Sequence, residues 1–177
     1  MVHVTRGFAF LHLDDQYQAI IEFTQAIAAD PTSAEAWAAR GLETYPAERA
    51  VADLQRAIDL GTPSYWPAYY LAHHYIDIHD WTKAEEFAAL GLRLGPPSRV
   101  HSNLLEWEAI ARVERGGDFD TARAQLRSAL KLSPGSPRLR RNLELLDHLV
   151  ELKPDSTPPW ELERDAQTRT AEVQAAA

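Results

Sequence analysis

The sequence predicts an all-α fold, a right-handed α-solenoid of about four helical hairpins closed by a C-terminal capping helix. Three observations carry that prediction. Four segments share one spacing: Ala19, Phe23, Ala26 and Pro31; Ala50, Leu54, Ala57 and Thr62; Ala84, Ala88, Gly91 and Pro96; Ala122, Leu126, Ala129 and Pro134. Steps of four and three residues put small and large apolar side chains on one helical face, and the proline in three of the four marks where that helix stops. The leading alanines lie 31, 34 and 38 residues apart, the signature of a repeat of one supersecondary unit. Ahead of each segment runs a second helical pattern, carrying Gly7 and Phe10, then Trp37 and Gly41, then Leu71, Ala72 and Tyr75, then Trp107, Ile110 and Ala111. A small residue inside a helix lets its neighbour approach closely, and an aromatic one turn later fills the space beside the contact. The repeating unit is therefore a helical hairpin.

The first hairpin is expected at about 1–31. Val2, Phe8, Phe10, Leu11 and Leu13 are apolar with no capping residue before them, the pattern of a helix interior and of an array that continues upstream. The second, 33–62, is three residues short between its helices, where Tyr45, Pro46 and Ala47 make a tight connection. The third, 64–96, contains Pro67, which fits a first turn, so its opening helix should start near Tyr65 or Trp66. The fourth, 98–134, has a longer first helix, from about Arg99 to Arg115, whose apolar positions match the others only after a slip of one residue.

A capping helix follows at 137–152. Leu139, Leu143, Leu146 and Val150 form its apolar stripe, opposite Arg138, Arg140, Arg141, Glu144, Asp147 and Glu151; a half-polar final helix is what the end of a solenoid needs to remain soluble. Residues 1–152 thus form the repeat domain. The remainder, 153–177, reads as a tail: a polar, proline-containing linker from Lys153 to Pro159, then a short helix from Trp160 to Val173 with a thin stripe of Leu162, Ala166 and Val173, either mobile or docked through Trp160.

On these residues the chain, from 1 to about 135, resembles the tetratricopeptide repeat family, whose signature pairs Trp, Leu, Gly and Tyr on one helix with Ala, Phe and Pro around the next. Trp37 with Gly41, Leu71 and Ala72 with Tyr75, and the run Gly117, Asp118, Phe119 ahead of Ala122 correspond most clearly. Thr44 departs from the pattern, standing where the family prefers an aromatic.

Composition narrows the function classes. With 177 residues, 45% hydrophobic and 25% charged, the chain fits one domain with or without a tail. Its formal charge of -8 opposes binding to nucleic acid or anionic membranes. There is no cysteine, so thiol nucleophiles and thiolate metal sites are excluded. No apolar run is long enough for a membrane span and no secretory leader is apparent, which makes the cytoplasm the expected location. The sequence contains neither a Gly-x-Ser-x-Gly elbow nor a phosphate-binding glycine loop, so no enzyme activity and no cofactor is expected. His73, His74 and His79 cluster, and His73 with Asp77 has the spacing of two ligands on one helix; a third ligand is not prescribed, and no metal site is assigned. Arg138, Arg140 and Arg141, with Arg123 and Arg127, lie in a stretch, 101–152, whose eight basic and eight acidic residues cancel, and read as an ion-paired surface.

The resemblance implies that the first helices line a concave channel that holds a protein or peptide partner. Its channel positions fall on Val4, Phe8, Ala38, Leu42, Trp66, Tyr69, His73 and Trp107, an apolar and aromatic lining. Trp66 and Tyr69 either face a ligand or pack against the fourth hairpin. The family's carboxylate-holding slots carry Val4, Phe8, Ala39, Trp66 and Tyr70 here, so acidic chaperone tails are not expected to bind. The resulting expectation is a non-catalytic scaffold or adaptor. A small acidic secretion-type chaperone, and a regulatory subunit or fragment of a larger enzyme-associated repeat protein, are the alternatives.

Overall fold

The computed structural model describes residues 2–46 and 48–152, with side chains described as far as 150; the expected linker and short helix at 153–177 lie outside these residues. Nine α-helices and no strand occur among the described residues: α1 (Val2–His12), α2 (Gln16–Ala29), α3 (Ala34–Thr44), α4 (Glu48–Asp59), α5 (Trp66–Asp77), α6 (Trp81–Arg93), α7 (Ser98–Glu114), α8 (Phe119–Leu132) and α9 (Pro137–Leu152). Helices α1 to α8 form four successive hairpins, each helix packing on the next in the chain. This is the expected all-α solenoid.

Local chemistry sets the helix ends. Asp15, Asp80 and Asp118 cap α2, α6 and α8 by accepting hydrogen bonds from Gln18, Lys83 and Asp120 amides, and Ser33 caps α3 through the Ala36 amide, each satisfying a donor that the first helical turn leaves open. Pro67 sits in the first turn of α5, where its missing amide hydrogen costs nothing. The tight connection of the second hairpin contains a cis Tyr45–Pro46 peptide.

The turn inside the fourth hairpin explains the slip of one residue. In the first and third hairpins the chain passes through a left-handed residue, Asp14 or His79, and the next residue is the Asp cap, whose amide donates to the carbonyl five residues back: Asp15 to Phe10, Asp80 to Tyr75. In the fourth hairpin Gly116 is the left-handed residue and Gly117 makes the equivalent bond, to Arg112; the cap, Asp118, comes one residue later. Gly117 is an insertion. It moves α7 by one position, so Ala109 takes the place of Gly7, Gly41 and Ala72 as the close-contact residue. Ala109, fully buried, packs with Ala122, Leu126 and Ala129, whereas Ile110 is only half-buried.

Close approach inside the hairpins follows the small-against-large rule. A Cβ on Gly41 would lie 2.9 Å from the Leu54 side chain, and one on Gly7 would strike the Phe23 ring; Phe23 and Leu54 are fully buried. The largest apolar cluster runs from Leu54 of α4 to Ala111 of α7, a second joins α7 to α9, and two small clusters serve α1 to α3.

Beside these contacts a pair of side chains repeats at one place in every hairpin. It is Arg6 with Glu22 in the first (2.8 Å) and Arg40 with Asp53 in the second (2.6 Å). In the third it is Leu71 with Phe87, both in the main core, and in the fourth Glu108 with Gln125, which favours the ionised carboxylate. One position thus carries ion pairs, then hydrocarbon, then a carboxylate and an amide.

Candidate functional site

Helix α5 supplies the centre of the site. Trp66, Tyr69, Tyr70 and His73 follow the i, i+3, i+4, i+7 spacing and share one face, and α5 lies between α3 and α7, the first helices of the adjoining hairpins. The rings form a connected array. Trp66 meets Tyr69 edge-on at 5.6 Å and Tyr70 at 6.1 Å; Tyr69 and His73 reach Trp107 of α7 at 4.8 and 5.2 Å; Tyr70 reaches Tyr45, at the end of α3, at 4.9 Å. Edge-on and tilted contacts of this kind suit the ring quadrupoles.

Polar groups fix the array at both sides. The Tyr45 hydroxyl lies 3.2 Å and the Asp77 carboxylate 3.3 Å from Nδ1 of His73. Burial, reinforced by the negative charge of Asp77 and by Tyr70, pushes the Tyr45 hydroxyl above its ordinary pKa. On the other side Asn103 of α7 donates to the Tyr69 hydroxyl (3.1 Å), and Arg138 of α9 donates to Asn103 (3.3 Å) and to Glu106 (2.6 Å). Asn142 donates to the second Glu106 oxygen at 2.8 Å. Glu106 is fully buried, and that burial raises its pKa against the opposing charge of Arg138 and the two hydrogen bonds.

The eight expected groove residues separate into groups. Trp66, Tyr69, His73 and Trp107 come together as described. Trp66 is 38% exposed, Tyr69 and His73 are half-buried, and Trp107 is 6% exposed, within the main core. Tyr69 packs against Trp107 of the fourth hairpin, whereas Trp66 is exposed. Leu42 is half-buried against the same core. Val4 is buried with Ala26, Ile27 and Ala36, and Ala38 is buried as well. Phe8, 39% exposed, rests its ring against Phe23 at 5.3 Å, apart from the α5 array.

Sequence reasoning missed Tyr45, Asn103, Glu106 and Arg138 as members of this network. Tyr45 lies in a connection and Arg138 on the capping helix, so neither falls on a repeat position; the signal for Asn103 was its place four residues before Trp107, on the same helical face. The three histidines diverge: His73 faces Tyr45 and Asp77, His74 meets Tyr75 edge-on, and His79 stacks on Trp81. Among the described residues no group of three or more potential metal ligands gathers. Of the arginines, Arg138 holds Glu106, Arg123 holds Asp147 and Arg140 donates to the Pro134 carbonyl.

No protein-family model and no curated protein matches the chain. Solved structures do match. YrrB, described as a TPR protein with an unusual peptide-binding site, superposes with a TM-score of 0.70 at 13% identity, over 92% of this chain and 90% of its own. The chain has the tetratricopeptide-repeat fold. A MamA structure matches with a TM-score of 0.66 at 18% identity, over 82% of this chain and 79% of its own, and a second MamA structure with 0.69 at 16%, over 94% and 91%. In this tetratricopeptide-repeat array no helix among the described residues is long and apolar enough to cross a membrane.

Proposed function

We propose that this tetratricopeptide-repeat chain is a non-catalytic protein-interaction scaffold, binding an extended or helical peptide with apolar anchors over the aromatic array of α3, α5 and α7. The observation that carries the reading is Trp66: it is 38% exposed at the outer end of a ring array whose inner members are held by Trp107, Asn103 and Asp77. Rigid aromatics bury large area at little conformational cost and serve as anchor points in protein interfaces. The similarity to YrrB, a TPR protein with a peptide-binding site, supports the same reading, although at 13% identity the likeness extends to the fold alone.

Copurification followed by mass spectrometry identifies the partner and separates an exported substrate from a catalytic subunit. Trp66→Ala, and Trp66→Ala with Tyr69→Ala, should then abolish capture of that partner while circular dichroism shows unchanged helical content. Capture that survives both changes refutes the assignment.

A further inference from the structure

An apolar cleft lies between α7, α8 and α9, towards the carboxyl-terminal end of the array. Helix α9 buries Leu139 and Leu146, yet Leu145 and Leu149 on its neighbouring face are 52% and 43% exposed. With Ile110 and Val113 of α7 and Leu126 of α8 they line a cleft of about 250 Å3, several times the ~30 Å3 that one water occupies in the liquid. Glu114 and Asn142 are its polar members.

We propose that this cleft is the docking site of the chain's own residues beyond α9, with the Trp160 ring as its anchor. The reasoning does not depend on the aromatic array of α5. Leu149 stands three residues before the end of α9, a rise of roughly 4.5 Å, so the cleft opens beside the point from which residue 153 departs. Eight residue steps separate Leu152 from Trp160. They span up to roughly 26 Å, ample for the chain to reverse and run back along the helix. Pro154, Asp155, Ser156, Pro158 and Pro159 supply turn-forming residues within that stretch.

Trp160 is the single aromatic residue in 153–177, and the cleft has the character an indole requires: hydrocarbon walls, with the Glu114 carboxylate and the Asn142 amide oxygen as acceptors for the ring N–H. Tethering decides against competing occupants. A segment joined by so short a linker is present at an effective concentration in the millimolar range, above that of a free peptide or a second copy at ordinary protein concentrations.

The test uses the full chain. Methyl NMR of Leu145 and Leu149 should show upfield ring-current shifts that vanish in Trp160→Ala, while the methyls of Leu54 in α4 stay in place. Since the protein lacks cysteine, Leu149→Cys with Glu161→Cys gives a second readout: an intramolecular disulfide under mild oxidation, formed several-fold more slowly once Trp160→Ala is added. Leu145 and Leu149 methyls that do not respond to Trp160→Ala, or a disulfide rate indifferent to it, overturn the proposal. Shifts that grow with protein concentration, or cross-linked dimers in place of the intramolecular product, assign the cleft to a second copy and overturn it equally.

Discussion

Arg40 grips Asp53 across the α3/α4 interface through two parallel hydrogen bonds, Nε to Oδ2 at 2.6 Å and Nη2 to Oδ1 at 2.8 Å, with both side chains out of solvent. The Trp37 ring lies 5.0 Å from the guanidinium carbon, and Thr24 of α2 accepts from Nη1 at 3.4 Å. The pair is well satisfied, but desolvating two charges offsets much of its attraction.

Removing one partner should therefore be costly. Asp53→Ala is expected to destabilise the fold by about 3–5 kcal/mol, because it strands a buried guanidinium. The double change Arg40→Leu with Asp53→Phe copies the pair that the third hairpin carries at the same position, Leu71 and Phe87, and should recover most of that loss. Urea unfolding of the three proteins checks the order; a double variant as unstable as Asp53→Ala would show that the positions are not interchangeable.

Gly41 tests the close approach of the same two helices. Its added Cβ would meet Leu54 side-chain carbons at 2.9 Å and the Leu54 backbone nitrogen at 3.1 Å. Side-chain movement relieves only the first of these, so Gly41→Ala should cost about 1–3 kcal/mol despite the higher helix propensity of alanine. Thermal or urea denaturation reads this directly, and a stabilised variant would contradict the packing described.

Glu106 makes a pH prediction. Its folded-state pKa is raised, by burial above all, so the folded chain holds this proton more tightly than the unfolded one. The associated stability is fully present below the ordinary value of 4.5 and is lost as pH rises through the folded-state pKa. Relative to Glu106→Gln, the wild type should gain stability as pH falls from neutrality towards that ordinary value. Paired urea titrations across the window isolate the effect, because the other carboxylates are common to both proteins; a difference independent of pH would refute it.

The array should not hold peptides ending in acidic residues. Val4, Phe8, Ala39, Trp66 and Tyr70 occupy the positions where a carboxylate-holding groove carries cationic and amide side chains. Fluorescence titration with a short acidic C-terminal peptide is expected to give no saturable signal. Tight, salt-sensitive binding would count against the reading.

The repeating helices were legible because each hairpin buries the same small-and-large pattern: Ala19, Ala50, Ala84 and Ala122 are all fully buried, and the start of α5 followed from Pro67 alone. The insertion at Gly117 was legible only as a mismatch, since its cause is a backbone hydrogen bond to Arg112 that spacing does not reveal. The pairs formed by Arg6 with Glu22 and by Arg40 with Asp53 escaped notice because their members belong to different helices and charged residues read as surface. For the candidate site, periodicity identified the α5 face, but the polar chain from Tyr69 through Asn103 to Arg138 joins three helices. Burial of Val4, Ala38 and Trp107 likewise depends on neighbours distant in sequence.

The partition of hydrocarbon among four separate clusters bears on how the molecule comes apart. Helices α1 to α3 rest on small clusters and the largest spans α4 to α7, while neighbours in such a stack support one another only pairwise. Opening should begin at the amino-terminal end and stop at the Leu54 boundary before the remainder melts. Native-state hydrogen exchange would record it as early loss of protection in α1 and α2 while the amides of α5 and α6 persist, so that one end of the stack breathes while its centre stays closed.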